Sequence, residues 1–332
     1  MADYSHSLDT PARVSYLFDQ MAADYDQIRD LWYSWLFSRL HFLIAKHVLS
    51  RWSNKTRKRV LDIGCGTGFQ SFLYALTGAE VTGVDISREL LEVAREKATT
   101  FRNRFPCLLF PSYFSFVTQY NEKIGKILQP QFSGIDLVRP DFRWGDATHL
   151  DIPDATFDHI NCCGSTLSFI GDYAAVLREI HRLLLPGGTY VMEVEAKYNL
   201  DLIWPCVDSI LLRGSLDYEA SVGEALHNLL SGFNSHITVQ YPFGEQGDPV
   251  YMDLRLFVKS TLCGEIEKSG LTCDAFKSIH SLTNLIPSTL LDTTKPSRRL
   301  IRTFCALAEM EEHLPFYVPG CSLVVFGSKP PA

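Results

Sequence analysis

The sequence predicts an α/β protein built on a seven-stranded, mostly parallel sheet, with helices on both faces, a helical cap in front and an inserted lid. Three observations support this. Arg59–Ser87 (RVLDIGCGTGFQSFLYALTGAEVTGVDIS) reads as strand, glycine turn, helix, strand and acid. Further short apolar runs alternate with amphipathic stretches as far as Gly327. The composition, 46% hydrophobic and 21% charged over 332 residues, is that of a globular chain with room for one large domain.

The opening βαβ unit carries the most information. Val60–Ile63 is short and apolar, as in a buried parallel strand. Gly64, Gly66 and Gly68 then let the backbone turn sharply and approach a ligand without a Cβ in the way. The helix they open presents free N–H groups to an anion. Glu80–Val84 forms the next strand and ends on Asp85, where a carboxylate can accept both hydroxyls of a ribose. A dinucleotide fingerprint would need a third glycine at Phe69, and a P-loop would need Gly-Lys-Ser/Thr, which is absent.

The spacing LDIGCGTG, with Asp62 ahead of the glycines, resembles motif I of the class I S-adenosylmethionine-dependent methyltransferases. The segment FDQMAADYD resembles the N-terminal cap of the small-molecule branch, the ubiquinone/menaquinone or type 11 methyltransferases. The resemblance implies a Rossmann-like fold and S-adenosylmethionine as cosubstrate, with S-adenosylhomocysteine as product. It implies a cofactor set of Tyr25 over the methionine end, Asp62, Gly64, Cys65, Gly66 and Gly68 in the loop, Asp85 and Ile86 at the ribose, Gly145-Asp146-Ala147 at the adenine, and Cys162 beside the ammonium group. Cys65 is read as a small side chain that fits the loop rather than as a nucleophile.

Taken in order, Pro11–Trp52 is expected to be helical. LWYSWLFSRLHFLIAKHVL is interrupted by Arg39, His41 and Lys46, so a helix over the ligand pocket is preferred to a membrane span, with peripheral membrane contact the runner-up. Tyr33 is a second aromatic candidate, on the acceptor side. Arg51–Arg59 reads as a basic, solvated loop. Ser87 is a plausible N-cap for SRELLEVAREK. Thr99–Arg139, broken by Pro106, Pro111 and Pro130, looks like an insertion that lengthens the cap or builds an oligomer contact such as a homodimer. Asp158–Cys163 is the fourth strand, with Asn161, Gly164 and Ser165 near the transferring methyl. His149 and His159 are read as helix-start and strand-start residues. Tyr173–Leu185 is a helix closed by Pro186-Gly187-Gly188, and Thr189–Val194 the fifth strand.

Asn199–Val258 is expected to form a lid: two helices (DLIWPCVDSILLRG, ASVGEALHNLLSG), then a hairpin around Gly244–Asp248. Ser260–Ser269 restores the missing helix, Leu271–Ile279 is strand six and Gly320–Gly327 strand seven. The division expected is a single methyltransferase domain over 1–332, with a cap over 1–58, a cofactor core over 59–195, a lid over 196–258 and completion of the sheet over 259–332.

No Ser-His-Asp or Cys-His set is visible, and methyl transfer needs alignment more than a protein nucleophile. A general base would help with a hydroxyl, amine or acidic carbon acceptor. His280, at the end of strand six, is the first candidate. Glu195, at the end of strand five, is the second and shares a face with Glu193. The net charge of −7 argues against a nucleic-acid partner. Nine cysteines without Cys-x-x-Cys give no zinc pattern and, with no signal peptide, indicate reduced thiols in the cytoplasm. The aromatic cap and leucine-rich lid favour a small-molecule acceptor with an apolar or aromatic portion. A protein or RNA methyltransferase, or a non-catalytic cofactor-binding partner protein, is the alternative.

Overall fold

The structure is a computed structural model, and it describes residues 10–27, 30–53, 55–101, 114–132, 134–216, 218, 223, 226–227, 230–243, 250–291, 295–314 and 317–331. Seven strands form one sheet: β1 (Arg59–Ile63), β2 (Glu80–Asp85), β3 (Asp141–Trp144), β4 (Phe157–Cys162), β5 (Leu184–Glu195), β8 (Ala275–Ile279) and β9 (Ser322–Ser328). Their order is β3-β2-β1-β4-β5-β9-β8. The first five are parallel, and β9 runs antiparallel between β5 and β8. Strand order reverses between β1 and β4, so a crevice opens at their carboxyl ends, where open α/β sheets take ligands. This is the Rossmann-like, seven-stranded and mostly parallel sheet that the sequence predicted. A separate hairpin pairs β6 (Ile237–Phe243) with β7 (Val250–Leu256).

The helices begin where the sequence supplies caps. Helix α1 (Pro11–Met21) starts at Thr10, with Pro11 in its first turn. Asp30 caps α2 (Leu31–His47) by accepting from the Tyr33 N–H at 2.7 Å. Gly68, at φ +88°, opens α3 (Phe69–Ala75), and Ser87 caps α4 (Arg88–Thr100). The remaining long helices are α5 (Ser115–Phe132), α6 (Tyr173–Leu183), α7 (Lys259–Lys268) and α8 (Arg298–Glu312).

Helix α2 does not cover the ligand crevice. It is an interior helix, with thirteen of its seventeen residues buried, packed in one core with α5, α8 and the sheet. Trp35 packs edge-on against Phe116, Tyr120 and Phe304, with ring centroids 5.3–5.9 Å apart. The apolar face that suggested membrane contact is therefore spent inside the protein, and among the described residues no helix is long and apolar enough to cross a membrane. The part of the Thr99–Arg139 insertion that is described adds α5 to this layer; residues 102–113 and 133 lie outside the described residues. Helix α8 belongs to a long β8–β9 connection that sequence reading passed over.

The second core, on the other face, packs α6 and α7 against the strands. The Pro186-Gly187-Gly188 turn lies inside β5. Pairing starts at Leu184 opposite Phe157 and shifts register before His159 meets Thr189, so the glycines form a bulge. Beyond β5, short helical turns occupy Leu200–Leu202, Trp204–Val207 and Asp208–Leu212. Most of ASVGEALHNLLSG and the Gly244–Asp248 turn lie outside the described residues. Buried Lys197 ties this region down, with its Nζ donating to the carbonyls of Ser231, Gly232 and Ser235 at 2.6, 3.0 and 3.2 Å.

Phe304→Ala is expected to destabilise the protein by roughly 3–5 kcal/mol, because a fully buried ring leaves a cavity between α2 and α8. Urea unfolding monitored by Trp fluorescence measures this, and a loss below 1 kcal/mol, the scale of a surface change, would contradict the assigned core.

Candidate active site

The glycine loop is held by two carboxylates. Asp85 lies at the end of β2 and accepts from the Gly66 N–H at 2.7 Å through Oδ2 and from the Ser87 N–H at 2.8 Å through Oδ1. Burial raises its pKa, and the backbone N–H donors pull it back down. Asp62, on β1, accepts from Ser71 Oγ at 2.5 Å and from Asn161 Nδ2 at 2.7 Å. Tyr74 then donates to the Asn161 carbonyl oxygen at 3.2 Å and meets His159 at 3.0 Å. A buried polar chain thus joins β1, α3 and β4 beneath the loop. Gly64 must be glycine: at φ +67°, an added Cβ would fall 2.2 Å from Thr166 Oγ1.

The loop borders a cavity of about 420 Å³. Gly64, Gly66, Val84, Asp85, Ile86 and Leu90 form one wall. Gly145-Asp146-Ala147-Thr148 and the 164–172 turn form the others. Residues of α1 and Tyr25 cover it. That cover is fastened by polar contacts: Asp19 accepts from Ser87 Oγ at 2.6 Å, Ser15 Oγ donates to the Ile86 carbonyl at 2.9 Å, and Asp26 accepts from Thr67 Oγ1 at 2.5 Å and from Lys97 Nζ at 2.8 Å. Tyr25 sits against Gly66, and burial followed by the charge of Asp85 raises its pKa.

Of the cofactor residues expected from the sequence, Tyr25, Gly64, Gly66, Asp85, Ile86, Gly145, Asp146 and Ala147 line this cavity. Asp62, Cys65, Gly68 and Cys162 do not; they lie behind the loop. Cys65 Sγ is turned toward Gly83, Gly68 packs on Phe72 and Phe142, and Cys162 is fully buried in the core. Burial raises the pKa of both cysteines, as befits packing thiols.

His280 is not at the cavity. Its ring stacks on Trp32 with centroids 3.5 Å apart and bonds Thr283 Oγ1 and the Trp32 carbonyl. Burial lowers its pKa to about 3, so it stays neutral, fixing the start of α2 to the end of β8. This placement speaks against the general-base role. His159 is likewise enclosed, with its pKa lowered to about 3 by burial.

Glu193 and Glu195 face the same side of β5, as their spacing required. Ser165, in a left-handed conformation at φ 58°, joins them: its N–H donates to Glu193 Oε2 at 2.6 Å and its Oγ to Glu195 Oε1 at 2.7 Å. Burial and the charge of Glu193 push Glu195 up to about 8. Two carboxylates this close do not both ionise readily, so the cluster retains a proton near neutral pH. Beside it, Tyr33 of α2 meets Tyr241 of the hairpin, hydroxyl to hydroxyl, at 2.9 Å.

Sequence reading missed the polar fasteners Ser15, Asp19 and Asp26, although the acids of FDQMAADYD were visible. It also missed Phe18 and Phe169, which pack edge-to-face at 5.6 Å on the cavity wall: Phe169 lies in no motif, and Phe18, although it opens FDQMAADYD, carries no polar group to mark it.

Fold and site together define a nucleotide-cofactor domain of the class I type. Residues 61–192 match the methyltransferase domain model, and residues 7–103 match the ubiE/COQ5 methyltransferase family. Over residues 7–192, which the two matches span together, the chain is of the class I S-adenosylmethionine-dependent methyltransferase family. Demethylmenaquinone methyltransferase from Staphylococcus epidermidis is 27% identical over 184 residues, 54% of this chain and 58% of that protein. The Listeria monocytogenes counterpart is 27% identical over 179 residues, 53% of this chain and 59% of that protein. The aligned part thus spans less than two thirds of these relatives. Among solved structures, the [4+2]-cyclase SpnF is 17% identical, with 98% of each chain covered and a TM-score of 0.55. The CcbJ methyltransferase from Streptomyces caelestis is 17% identical, with 95% of this chain and 98% of that one covered and a TM-score of 0.50. These two likenesses concern the fold alone.

Burial raises Asp62 to about 6, so the folded protein holds that proton to a higher pH than the unfolded chain. Its contribution is fully present below the ordinary carboxylate pKa and is lost as pH rises through 6. Relative to Asp62→Asn, the wild type is expected to lose roughly 3 kcal/mol of stability between acid and neutral pH. Urea titrations of both proteins across that range test it, and parallel pH profiles would contradict the assignment.

Proposed function

We propose that the protein transfers a methyl group from S-adenosylmethionine to a small-molecule acceptor with an apolar or aromatic portion. The observation that carries this reading is the 420 Å³ cavity, which brings the glycine loop, Asp85 and the Gly145–Ala147 turn onto one surface beneath the α1 cover. The residues suit the group. Asp85 offers its remaining lone pairs to a ribose, Ile86, Leu90 and Ala147 offer apolar walls to a base, and Gly66 presents open backbone beside Tyr25. Asp146, whose Oδ1 is fixed by the Thr148 N–H and hydroxyl, is the candidate for the adenine amino group. Bound there, S-adenosylmethionine supplies an electrophilic methyl on a sulfonium.

The remaining work is alignment, exclusion of water and handling of a proton. Helix α1 meets the hairpin through Met252, which packs with Val14, Leu17, Phe18 and Phe169. Arg13 adds a bond to the Tyr251 carbonyl at 2.8 Å. Helix α1 and the hairpin therefore pack against each other, and a crevice covered in this way favours a small acceptor over a protein or RNA strand. The relatives named above are demethylmenaquinone methyltransferases, which agrees with a small-molecule acceptor. Glu195 is our candidate base: it does not itself line the cavity but is bonded to Ser165, between the lining residues Gly164 and Thr166, and Glu193 keeps its proton affinity high enough to accept from a hydroxyl, amine or acidic carbon.

Calorimetry should show saturable S-adenosylmethionine binding that weakens roughly a hundredfold in Asp85→Ala, since that change removes charge-assisted bonds to both ligand and loop. Equal affinity in the two proteins would place the cofactor elsewhere. With an acceptor in hand, wild-type kcat is expected to rise with pH through about 8 as Glu195 loses its proton. Glu195→Gln should lower kcat by about 10²–10⁴ and abolish that limb without changing cofactor affinity. An unaltered pH–rate profile in Glu195→Gln would remove Glu195 from the reaction.

A further inference from the structure

A second cavity, of about 140 Å³, lies away from the cofactor crevice, between α2, the edge strand β8 and the end of α8. It is large enough for about four or five waters or one small molecule. Four buried side-chain atoms on its lining residues have no hydrogen-bonding partner among the described residues: Arg39 Nε, Arg39 Nη1, Ser281 Oγ and Glu311 Oε1. Unsatisfied polar atoms on this scale are costly, so their gathering around one space points to something that fills it.

The groups are held in place before any ligand arrives. Glu311 Oε2 accepts from the N–H groups of Ser281, Leu282 and Thr283 at 2.9, 3.0 and 3.3 Å and from Thr283 Oγ1 at 3.2 Å. This fixes the carboxylate and leaves Oε1 unpaired. Arg39, only 6% exposed, lies 5.6 Å over the Phe42 ring, and its nearest carboxylate, Glu312, is 3.9 Å from Nη1. Glu312 is already engaged by Tyr120 and Lys123, each at 2.8 Å. Lys46, Lys277 and Glu312 also line the cavity, so its cationic side chains outnumber its carboxylates three to two. The field is felt by His47, which burial and the charges of Lys277, Lys46, Arg51 and Arg39 lower to about 4.

We propose that this cavity binds a small α-amino acid, its carboxylate on the Arg39 guanidinium and its ammonium group on Glu311 Oε1. A simple anion would satisfy Arg39 but face the free oxygen of Glu311. A simple cation would satisfy Glu311 against three positive side chains. A zwitterion meets both demands, and Ser281 Oγ serves either end. The site is separate from the methyl-transfer site and does not depend on that reading.

Calorimetry on the full chain with glycine, L-serine, acetate and methylamine tests the proposal. Glycine or serine is expected to bind saturably and at least tenfold more tightly than acetate or methylamine. Arg39→Lys keeps the charge but loses the guanidinium donors, and Glu311→Gln keeps a carbonyl for the Ser281–Thr283 turn but loses the free anionic oxygen. Each is expected to weaken binding roughly tenfold. Lys277→Met, on the partly exposed edge strand, should weaken it a few-fold and guards against loss of folding in the buried variants. Acetate binding as tightly as glycine, or no saturable heat from either amino acid, would overturn the proposal.

Discussion

The Asp85 carboxylate holds the Gly66 N–H with one oxygen and the Ser87 N–H with the other. It thereby fixes the glycine loop relative to the start of α4, and the cavity exists only while those two elements stay apart at this spacing. The cap depends on the same junction. Asp19 closes on Ser87 and the Glu89 N–H, Ser15 on the Ile86 carbonyl, and Asp26 on Thr67 inside the loop. A buried carboxylate is expensive unless it is solvated by donors, and here the donors are backbone groups that the site itself must immobilise.

The two faces of the sheet divide the work. One face carries α6 and α7 in a compact layer. The other carries α2, α5 and α8, joined by Trp35, Phe116, Tyr120 and Phe304, and this layer gives the chain its bulk beyond the sheet. The front end of α2 is anchored on two sides: Trp32 is stacked on His280, and Tyr33 meets Tyr241 of the hairpin. The helix that looked like a membrane-facing or pocket-covering element is thus a buried rod whose front end is tied to β8 and to the hairpin.

The parts of the fold legible in the sequence are those written by local rules. Gly64, Gly66 and Gly68 require positive φ, Asp30, Ser87 and Asp172 cap helices, and the short apolar runs pair as parallel strands. Asp85 and the Gly145–Ala147 turn were legible for the same reason. What escaped depends on long-range packing. Nothing local distinguishes His280, stacked and neutral, from a histidine facing substrate; only Trp32, 248 positions away in the chain, settles it. Asp62 and Cys162 sit in motif positions yet point into the core, because a motif fixes how near a residue lies to the carboxyl end of its strand and not which way its side chain turns there. The pairing of Glu193 and Glu195 was visible as spacing, but their shared partner Ser165 required the β4 turn to fold back over β5.

Hydrogen–deuterium exchange with and without S-adenosylmethionine tests the central claim most directly, because it reads the loop and its cover together. Added protection is predicted at Gly64–Gly68 and across residues 10–25, with little change in α5 and α8. Protection confined to other regions, or a loop that tightens while the cap exchanges freely, would contradict a site built on Asp85 and closed by α1.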